Sequence, residues 1–269
     1  VGAGAGVPVH IYHLKAAGQE NWPLMADALA LIDSARAAGM DVTADIYPYI
    51  RNGIGLGSFL HPRHYAEGTA AFLETLGDPE LRAELRREVE TTSDWENWYR
   101  HVGMDWNNVL IVSASDAVDP AVVNRSVAEA AEVLGTDPWN AFFDLVQAGG
   151  VSVNPRSMNE EQKHQALRAE YVMIDTDASP VNPESTASSH PRAFGAFPRV
   201  IAKLPRIVLY SLLDVASGKH SSTRSADYPL LDAVGVSAQR VVRRPGSPEG
   251  LPKTVSTSGD CGCLACHVR

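Results

Sequence analysis

The stretch Tyr171-Val172-Met173-Ile174-Asp175-Thr176-Asp177 is a short apolar run that ends on acidic residues. Such a run is typical of a buried strand, and open parallel sheets and (β/α) barrels place their catalytic groups at the carboxyl ends of strands. Asp177 is therefore the first catalytic candidate. Spacing alone equally allows Asp177 to be a loop or turn cap, so the rest of the chain has to decide between the two roles.

Two earlier stretches repeat this arrangement. Val7-Pro8-Val9-His10-Ile11-Tyr12-His13 is an apolar run that ends on a residue able to bind metal, and Lys15 follows just beyond it. The second stretch covers residues 40–49 and ends in polar aromatic residues, among them Tyr47, where Pro48 prevents a central strand from continuing. Three strands that end in functional groups predict one shared rim.

The remaining pattern alternates strands with helices. Gly39 is predicted to end a helix that is capped by Asn21 and carries Leu31 and Ile32 on its apolar face. Residues 107–114 resume the buried-strand pattern, and no two strands are joined by a hairpin turn. The sequence predicts the α/β class, with a (β/α) barrel preferred to an open sheet because polar groups follow several strands.

Residues 204–269 differ in composition from the preceding part, because Arg, Ser, Val and Pro dominate and helical periodicity fades. We expect two regions, a partial barrel over residues 1–203 and a weakly structured tail over 204–269. All three cysteines lie in this tail. Cys263 to His267 matches the C-x-x-C-H haem-attachment pattern, and with Cys261 the cluster equally suits zinc. We interpret it as a chance cluster, because only two residues follow His267.

Composition limits the class of partner. The chain has 269 residues, is 45% hydrophobic and carries a formal net charge of -9, as expected of a globular protein. This charge argues against nucleic acid or an acidic membrane surface and favours a small-molecule partner. No apolar run approaches the ~20 residues of a membrane span. The cytoplasm is the default location, with a missing leader left open because the sequence begins at Val1.

Four motifs together resemble one enzyme family. They are Ile11–Gly18, Asp45–Tyr49, Ile174–Asp177 and His190–Arg199, and they occur in the family's order within residues 1 to about 203. The family is that of the N-acyl-D-amino-acid deacylases, or D-aminoacylases, of the amidohydrolase superfamily. The resemblance implies a metal-dependent TIM-like (β/α) barrel, usually with zinc, that hydrolyses the amide bond of N-acyl-D-amino acids.

The resemblance also implies roles for five residues. His13 matches a metal-ligating histidine, and Asp177 matches an acid that both contacts the metal site and serves as general base. Lys15 and Arg192 match the cations that hold the substrate carboxylate, and Tyr47 matches a tyrosine at the substrate carbonyl. This chemistry is coherent, because a metal ion lowers the pKa of bound water towards ~7 and stabilises the oxyanion that forms. Without the resemblance, a solvated Lys15 and a surface ion pair of Arg192 are equally good interpretations.

The departures from the family are also informative. The family's first-strand histidine pair, its metal-binding cysteine and its other histidine strand have no counterpart here, and its Gly-Ser-Asp-Gly is replaced by residues 175–178. The resemblance therefore covers the C-terminal half of the barrel only. It implies an incomplete fragment with little activity alone, one or two zinc ions whose other ligands lie upstream, and self-association through the uncovered barrel flank. His10 is expected to be structural, and a reading-frame change in the source gene is a hypothesis for the tail.

Three alternatives stay open. A cyclic amidase of the dihydroorotase or hydantoinase kind would use Lys15 as a carboxylated metal bridge. An inactive barrel remnant would act as a binding module. A c-type electron carrier rests on the tail cysteines alone.

Overall fold

The computed structural model describes residues 2–179 and 190–203. The predicted tail at 204–269, with its cysteine cluster, lies outside the described residues. None of the helices in the described part is long and apolar enough to span a membrane.

Strands and helices alternate along the described chain. The strands are β1 (Val9–Ile11), β2 (Val42–Ile46), β3 (Ile54–Gly55), β4 (Val109–Ser113), β5 (Ser152–Pro155) and β6 (Val172–Ile174). The α-helices are α1 (Gly2–Ala5), α2 (Leu24–Ala37), α3 (Thr69–Thr75), α4 (Pro79–Thr91), α5 (Trp98–His101), α6 (Val127–Leu134), α7 (Pro138–Ala148), α8 (Glu160–Ala166) and α9 (Arg192–Lys203). Short 3-10 helices cover Gln19–Asn21, Leu56–Phe59, Pro62–Tyr65, Trp106–Asn108 and Pro120–Val122.

A three-stranded parallel sheet carries the three stretches that the sequence singled out. Its order is β1-β2-β6, with Ile11 opposite Ala44 and Ile46 opposite Ile174. Because the strands are parallel, their carboxyl ends lie along one edge, as predicted for the shared rim.

Helix α2 connects the first two strands of this sheet, as the strand–helix–strand pattern predicted. Its details differ from the prediction. It starts after Pro23, and the Asn21 side chain bonds to the Ala17 carbonyl instead of capping the helix. Ile32 is buried as predicted, but Leu31 is 72% exposed, so the buried face of the helix is narrower than predicted.

A second three-stranded sheet has the order β3-β5-β4 and is antiparallel. Strand β4 is the predicted strand at 107–114, and its Ile111 lies opposite Val153 of β5. This sheet therefore departs from the all-parallel pairing that the preferred (β/α) barrel requires. Helices α6 and α7 separate β4 from β5, and a connection of that length allows either direction, so no hairpin signal marks the pair. The fold is mixed α/β, and no closed barrel is formed within the described residues.

Each sheet has its own hydrophobic core. The parallel-sheet core lies between β1, β2, β6 and the helices α2, α8 and α9, and includes Met25, Ala44, Ile46 and Val172. The aromatic core surrounds the antiparallel sheet. Its largest members are Phe59, Trp98, Tyr99, Trp106, Trp139, Phe142 and Phe143.

Helix α6 begins with a capping box. The Ser126 hydroxyl accepts the Glu129 amide at 3.1 Å, and the Glu129 carboxylate accepts the Ser126 amide at 2.7 Å. Ser126→Ala should therefore lower the free energy of unfolding by about 1 kcal/mol, the usual cost of losing an N-cap. Urea unfolding measures this change. Ser34→Ala, on the exposed face of α2, is the control and should not destabilise the protein; an equal loss in both variants would contradict the capping role.

Candidate active site

A cavity of about 570 Å³ opens at the carboxyl ends of the parallel strands. It receives residues from the ends of β1, β2 and β6, from the start of α9 and from the segment that precedes α5. All five predicted site residues line it. The lining residues that matter below are Tyr12, His13, Lys15, Tyr47, Ile54, Glu96, Trp98, Asp177 and Arg192.

Asp177 is held from two sides. Its Oδ1 accepts a hydrogen bond from the Tyr12 hydroxyl at 2.8 Å, and its Oδ2 pairs with Arg192 Nη1 at 2.7 Å. The backbone of Asp177 has φ of 42°, in the left-handed region that non-glycine residues rarely adopt. Such conformations cluster at functional sites, where the surrounding contacts hold them in place. Burial and the bond to Asp177 raise the pKa of Tyr12 to about 12, so Tyr12 stays a proton donor.

Three cations surround the Tyr47 ring, which is fully buried beside the cavity. The ammonium groups of Lys15 and Lys163 lie 5.1 and 4.5 Å from the ring centroid, and the Arg192 guanidinium carbon lies 4.6 Å from it. Lys15 also donates to the Tyr47 hydroxyl at 3.3 Å. Burial raises the pKa of Tyr47, which keeps its hydroxyl protonated at neutral pH. Burial also lowers the pKa of Lys15.

His190 anchors the start of α9. Its Nδ1 accepts the Arg192 amide at 3.1 Å, and its Nε2 donates to the Arg51 carbonyl at 3.0 Å. Burial, aided by the Arg192 charge, lowers the pKa of His190 to about 4, so the ring is neutral at pH 7. This neutral tautomer fixes the backbone that carries Arg192 towards the cavity.

His10 lies within β1 and His13 lies just after it, and the two residues have different contacts. His13 lines the cavity with φ of 42°, and its amide donates to the Asp45 carboxylate. His10 bonds to the Thr43 hydroxyl at 2.8 Å and to Asp45 Oδ2 at 2.9 Å. These contacts agree with the structural role expected for His10.

The predicted metal ligands do not form a complete zinc site. A protein zinc site usually has three or four protein ligands. Within residues 2–179 and 190–203, no group of three His, Cys, Asp or Glu side chains is placed to hold a metal ion. His13 and Asp177 share the cavity, but both oxygens of Asp177 already bind Tyr12 and Arg192. The described residues therefore fit part of a zinc site and not the whole of it.

Two charged residues at this edge, one buried and one half-buried, were missed from the sequence. Lys163 in α8 is 1% exposed, and Asp175 follows β6 directly. In the described part of the chain, neither Lys163 Nζ nor either Asp175 oxygen has a hydrogen-bond partner. Burial, with the nearby Lys15, lowers the pKa of Lys163 to about 7, whereas burial and the neighbouring carboxylates raise the pKa of Asp175 to about 6. Asp175 lay in the quoted stretch, but nothing in the sequence marked Lys163.

The lowered pKa of Lys163 predicts a pH dependence of stability. Between the folded pKa near 7 and the unfolded value of 10.5, the unfolded chain binds more protons, so stability should rise with pH. The slope from one group is at most about 1.4 kcal/mol per pH unit. Charges that act on Lys163 are Lys15, Asp175, Glu160 and Arg192. Urea unfolding at pH 7 to 9 tests this, and Lys163→Met should flatten the slope; identical slopes in the two proteins would contradict the assignment.

A second cavity of about 580 Å³ adjoins the first and shares Ile54, Glu96 and Trp98 with it. Its other walls are mostly apolar and aromatic, with Leu60, Tyr65 and Trp95 among them. The two cavities together present a cationic end and an apolar end.

No protein-family model matches the chain. Over 246 residues it is 28% identical to an N-acyl-D-glutamate deacylase from Alcaligenes xylosoxydans xylosoxydans, a match that covers 90% of this chain and 40% of the relative. The structure is similar, with a TM-score of 0.51 and 22% identity, to an N-acyl-D-glutamate deacylase from Bordetella bronchiseptica solved with zinc and a phosphonate inhibitor. That likeness covers 77% of this chain and 33% of the other.

A D-aminoacylase described as defining a subset of amidohydrolases has a TM-score of 0.49 at 22% identity, over 77% of this chain and 33% of its own. The chain thus spans about two fifths of the length of the curated relative and a third of the solved ones. In sequence the chain is similar to an N-acyl-D-glutamate deacylase, and in the part that they share its fold is similar to that of the solved N-acyl-D-glutamate deacylase, in agreement with the deacylase family that its four motifs predicted.

Proposed function

We propose that the cavity binds N-acyl-D-amino acids and that the chain contributes the substrate-holding groups and the general base of a metal-dependent amide hydrolysis. The observation that carries this proposal is the single cavity that gathers His13, Lys15, Tyr47, Asp177 and Arg192. The similarity to an N-acyl-D-glutamate deacylase supports the choice of substrate class.

The cationic end of the cavity suits a carboxylate. Arg192 presents a planar guanidinium that can form two parallel hydrogen bonds with a carboxylate, and Lys15 adds a second charge beside it. Arg192 Nη1 is bound to Asp177, whereas its buried Nε has no partner in the described residues. A substrate carboxylate therefore meets one cation that is partly engaged and another, Lys15, that bonds only to the Tyr47 hydroxyl among the described residues.

Tyr47 and Asp177 take the chemical roles. Tyr47 stays protonated, so its hydroxyl can donate to the amide carbonyl and to the oxyanion that develops there. Asp177, fixed by Tyr12 and Arg192, would accept the proton of the attacking water and return it to the leaving amine. Zinc, when bound, supplies water activation in such hydrolases.

The incomplete ligand set leads to a prediction about metal binding. Because the described residues offer only His13 and Asp177, we expect weak zinc binding and little amide hydrolysis by this chain alone. Zinc titration should use a variant with Cys261, Cys263 and Cys266 changed to serine, so that the tail thiols do not contribute. Tight stoichiometric binding that is lost in His13→Asn would show that the cavity holds zinc after all.

Binding of the substrate is tested by isothermal titration calorimetry. We expect N-acetyl-D-glutamate to bind and its L enantiomer to bind more weakly, because the carboxylate and carbonyl contacts fix the position of the side chain. Trp98 lines the cavity and gives an independent fluorescence signal. Equal binding of both enantiomers, or of neither, would contradict the proposal.

A second candidate function is ligand binding without catalysis. It is favoured by one observation, the absence of a three-ligand metal group among the described residues. Saturable binding of the D enantiomer, with no zinc binding and no turnover even when a longer protein restores the upstream barrel half, would support this binding module over the hydrolase. Self-association through the edges of the parallel sheet stays a prediction, and sedimentation velocity tests it.

A further inference from the structure

The buried position of Lys163 is unfavourable for the stability of the fold. Its side chain is almost fully buried, and its ammonium group has no hydrogen-bond partner in the described part of the chain. Burial of an unpaired charge is unfavourable, so an apolar side chain of the same size would stabilise the fold better. Asp175 lies near enough to influence Lys163, yet its two oxygens are also without partners among the described residues. Packing alone therefore does not explain a lysine at this position.

Lys163 lies over the Tyr47 ring, whose centroid is 4.5 Å from Nζ. Lys15 and Arg192 also approach this ring, but both line the cavity, where a ligand competes for them. Lys163 is not among the residues that line the cavity, so it has no direct contact with a ligand there. Of these three cations, Lys163 alone is available to the ring whatever the cavity contains.

A cation against an aromatic ring has two effects on a tyrosine. It holds the ring in place through attraction to the π electrons. It also favours negative charge on the phenol oxygen, which makes the hydroxyl a stronger hydrogen-bond donor. Tyr47 lines the cavity and its hydroxyl accepts from Lys15, another lining residue, so both effects act on a side chain at the ligand site.

We propose that Lys163 is a positioning residue that acts through Tyr47, holding the ring in place and strengthening the hydrogen bond that the Tyr47 hydroxyl donates to an oxyanion in the cavity. This inference rests on the proposed function, because it takes Tyr47 as the donor to the substrate carbonyl. It adds a residue from outside the cavity to that site.

The test compares two ligands on the full chain at pH 6.5, with a chelator present so that side chains alone contribute. One is N-acetyl-D-glutamate, which has a neutral amide carbonyl; the other is its phosphonate analogue, which presents a tetrahedral oxyanion. Lys163→Met should weaken phosphonate binding by about five- to tenfold, the usual range of a buried cation–π contact, and amide binding by less than about twofold. Arg168→Met removes an exposed charge near the same helix and should change neither affinity.

A double-mutant cycle identifies the path of the effect. Tyr47→Phe keeps the ring and removes the hydroxyl, so Lys163→Met should cause no further loss of phosphonate binding in that background. Additive losses would show that Lys163 acts on the ligand through its long-range field, and they would overturn the inference.

Stability gives a readout that needs no ligand. Lys163→Met should unfold at the same or a higher urea concentration than the wild-type chain, because it removes a buried unpaired charge. A lower midpoint would make Lys163 a structural residue and overturn the inference. If the wild-type chain binds neither ligand, the proposed function and the inference both fail. If it binds both and Lys163→Met binds equally well, only the inference fails.

Discussion

Arg192→Gln is expected to weaken binding of N-acetyl-D-glutamate by about 100-fold, equivalent to about 3 kcal/mol. The guanidinium lies at the cationic end of the cavity and has a buried Nε without a partner in the described residues, and the neutral His190 accepts the backbone amide of Arg192. Glutamine keeps an amide donor but loses the charge and the planar fork that matches a carboxylate. The partly buried Asp177 also loses its ion pair.

Calorimetric titration of wild type and variant measures this loss. Arg87→Gln, which removes an exposed charge from α4, is the matched control and should bind as the wild type does. Because Arg192 also pairs with Asp177, urea unfolding is measured in parallel to show that the variant is folded. A folded Arg192→Gln with wild-type affinity would place the carboxylate elsewhere.

Phe142→Ala is expected to lower the free energy of unfolding by about 3–5 kcal/mol, as for other large aromatic residues truncated in a core. Phe142 is fully buried in the aromatic core, stacked on Trp106 at 4.8 Å and in contact with Phe143 at 5.1 Å between ring centroids. Its aromatic neighbours belong to helix α7 and to two 3-10 helices, so they cannot all move inward to fill the space.

Urea unfolding followed by circular dichroism measures the change. Leu31→Ala is the control, because Leu31 is 72% exposed on α2 and its truncation should cost well under about 1 kcal/mol. Equal losses in the two variants would contradict the assignment of the aromatic core. If unfolding shows two transitions, with only one shifted in Phe142→Ala, the two cores unfold separately.

The parallel half of the fold was predictable because its signals are local. Each strand is a short apolar run that stops at a polar group, and the alternation with α2 requires parallel pairing of β1 and β2. The antiparallel sheet was not predictable, since β4 and β5 show the same apolar runs and their direction depends on how α6 and α7 return the chain. Leu31 illustrates a related limit, because periodicity gives the centre of an apolar face and not its width.

The site residues also fall into those that were predictable from the sequence and those that were not. His13, Lys15 and Asp177 follow strands, so their positions along the chain are enough to predict that they share one rim. Arg192 reaches the cavity from a helix start and was found only through the resemblance to a family. Lys163 was missed, because a lysine on a short polar helix normally faces solvent, and only tertiary packing shows that this one lies against Tyr47.

A crystal structure of the chain grown with N-acetyl-D-glutamate tests the central claim most directly. We predict that the ligand occupies the cavity at the carboxyl ends of β1, β2 and β6. Its α-carboxylate should lie within hydrogen-bond distance of Arg192 and Lys15, and its amide carbonyl should accept from the Tyr47 hydroxyl. An empty cavity at saturating ligand, or a ligand whose carboxylate contacts neither cation, would contradict this assignment.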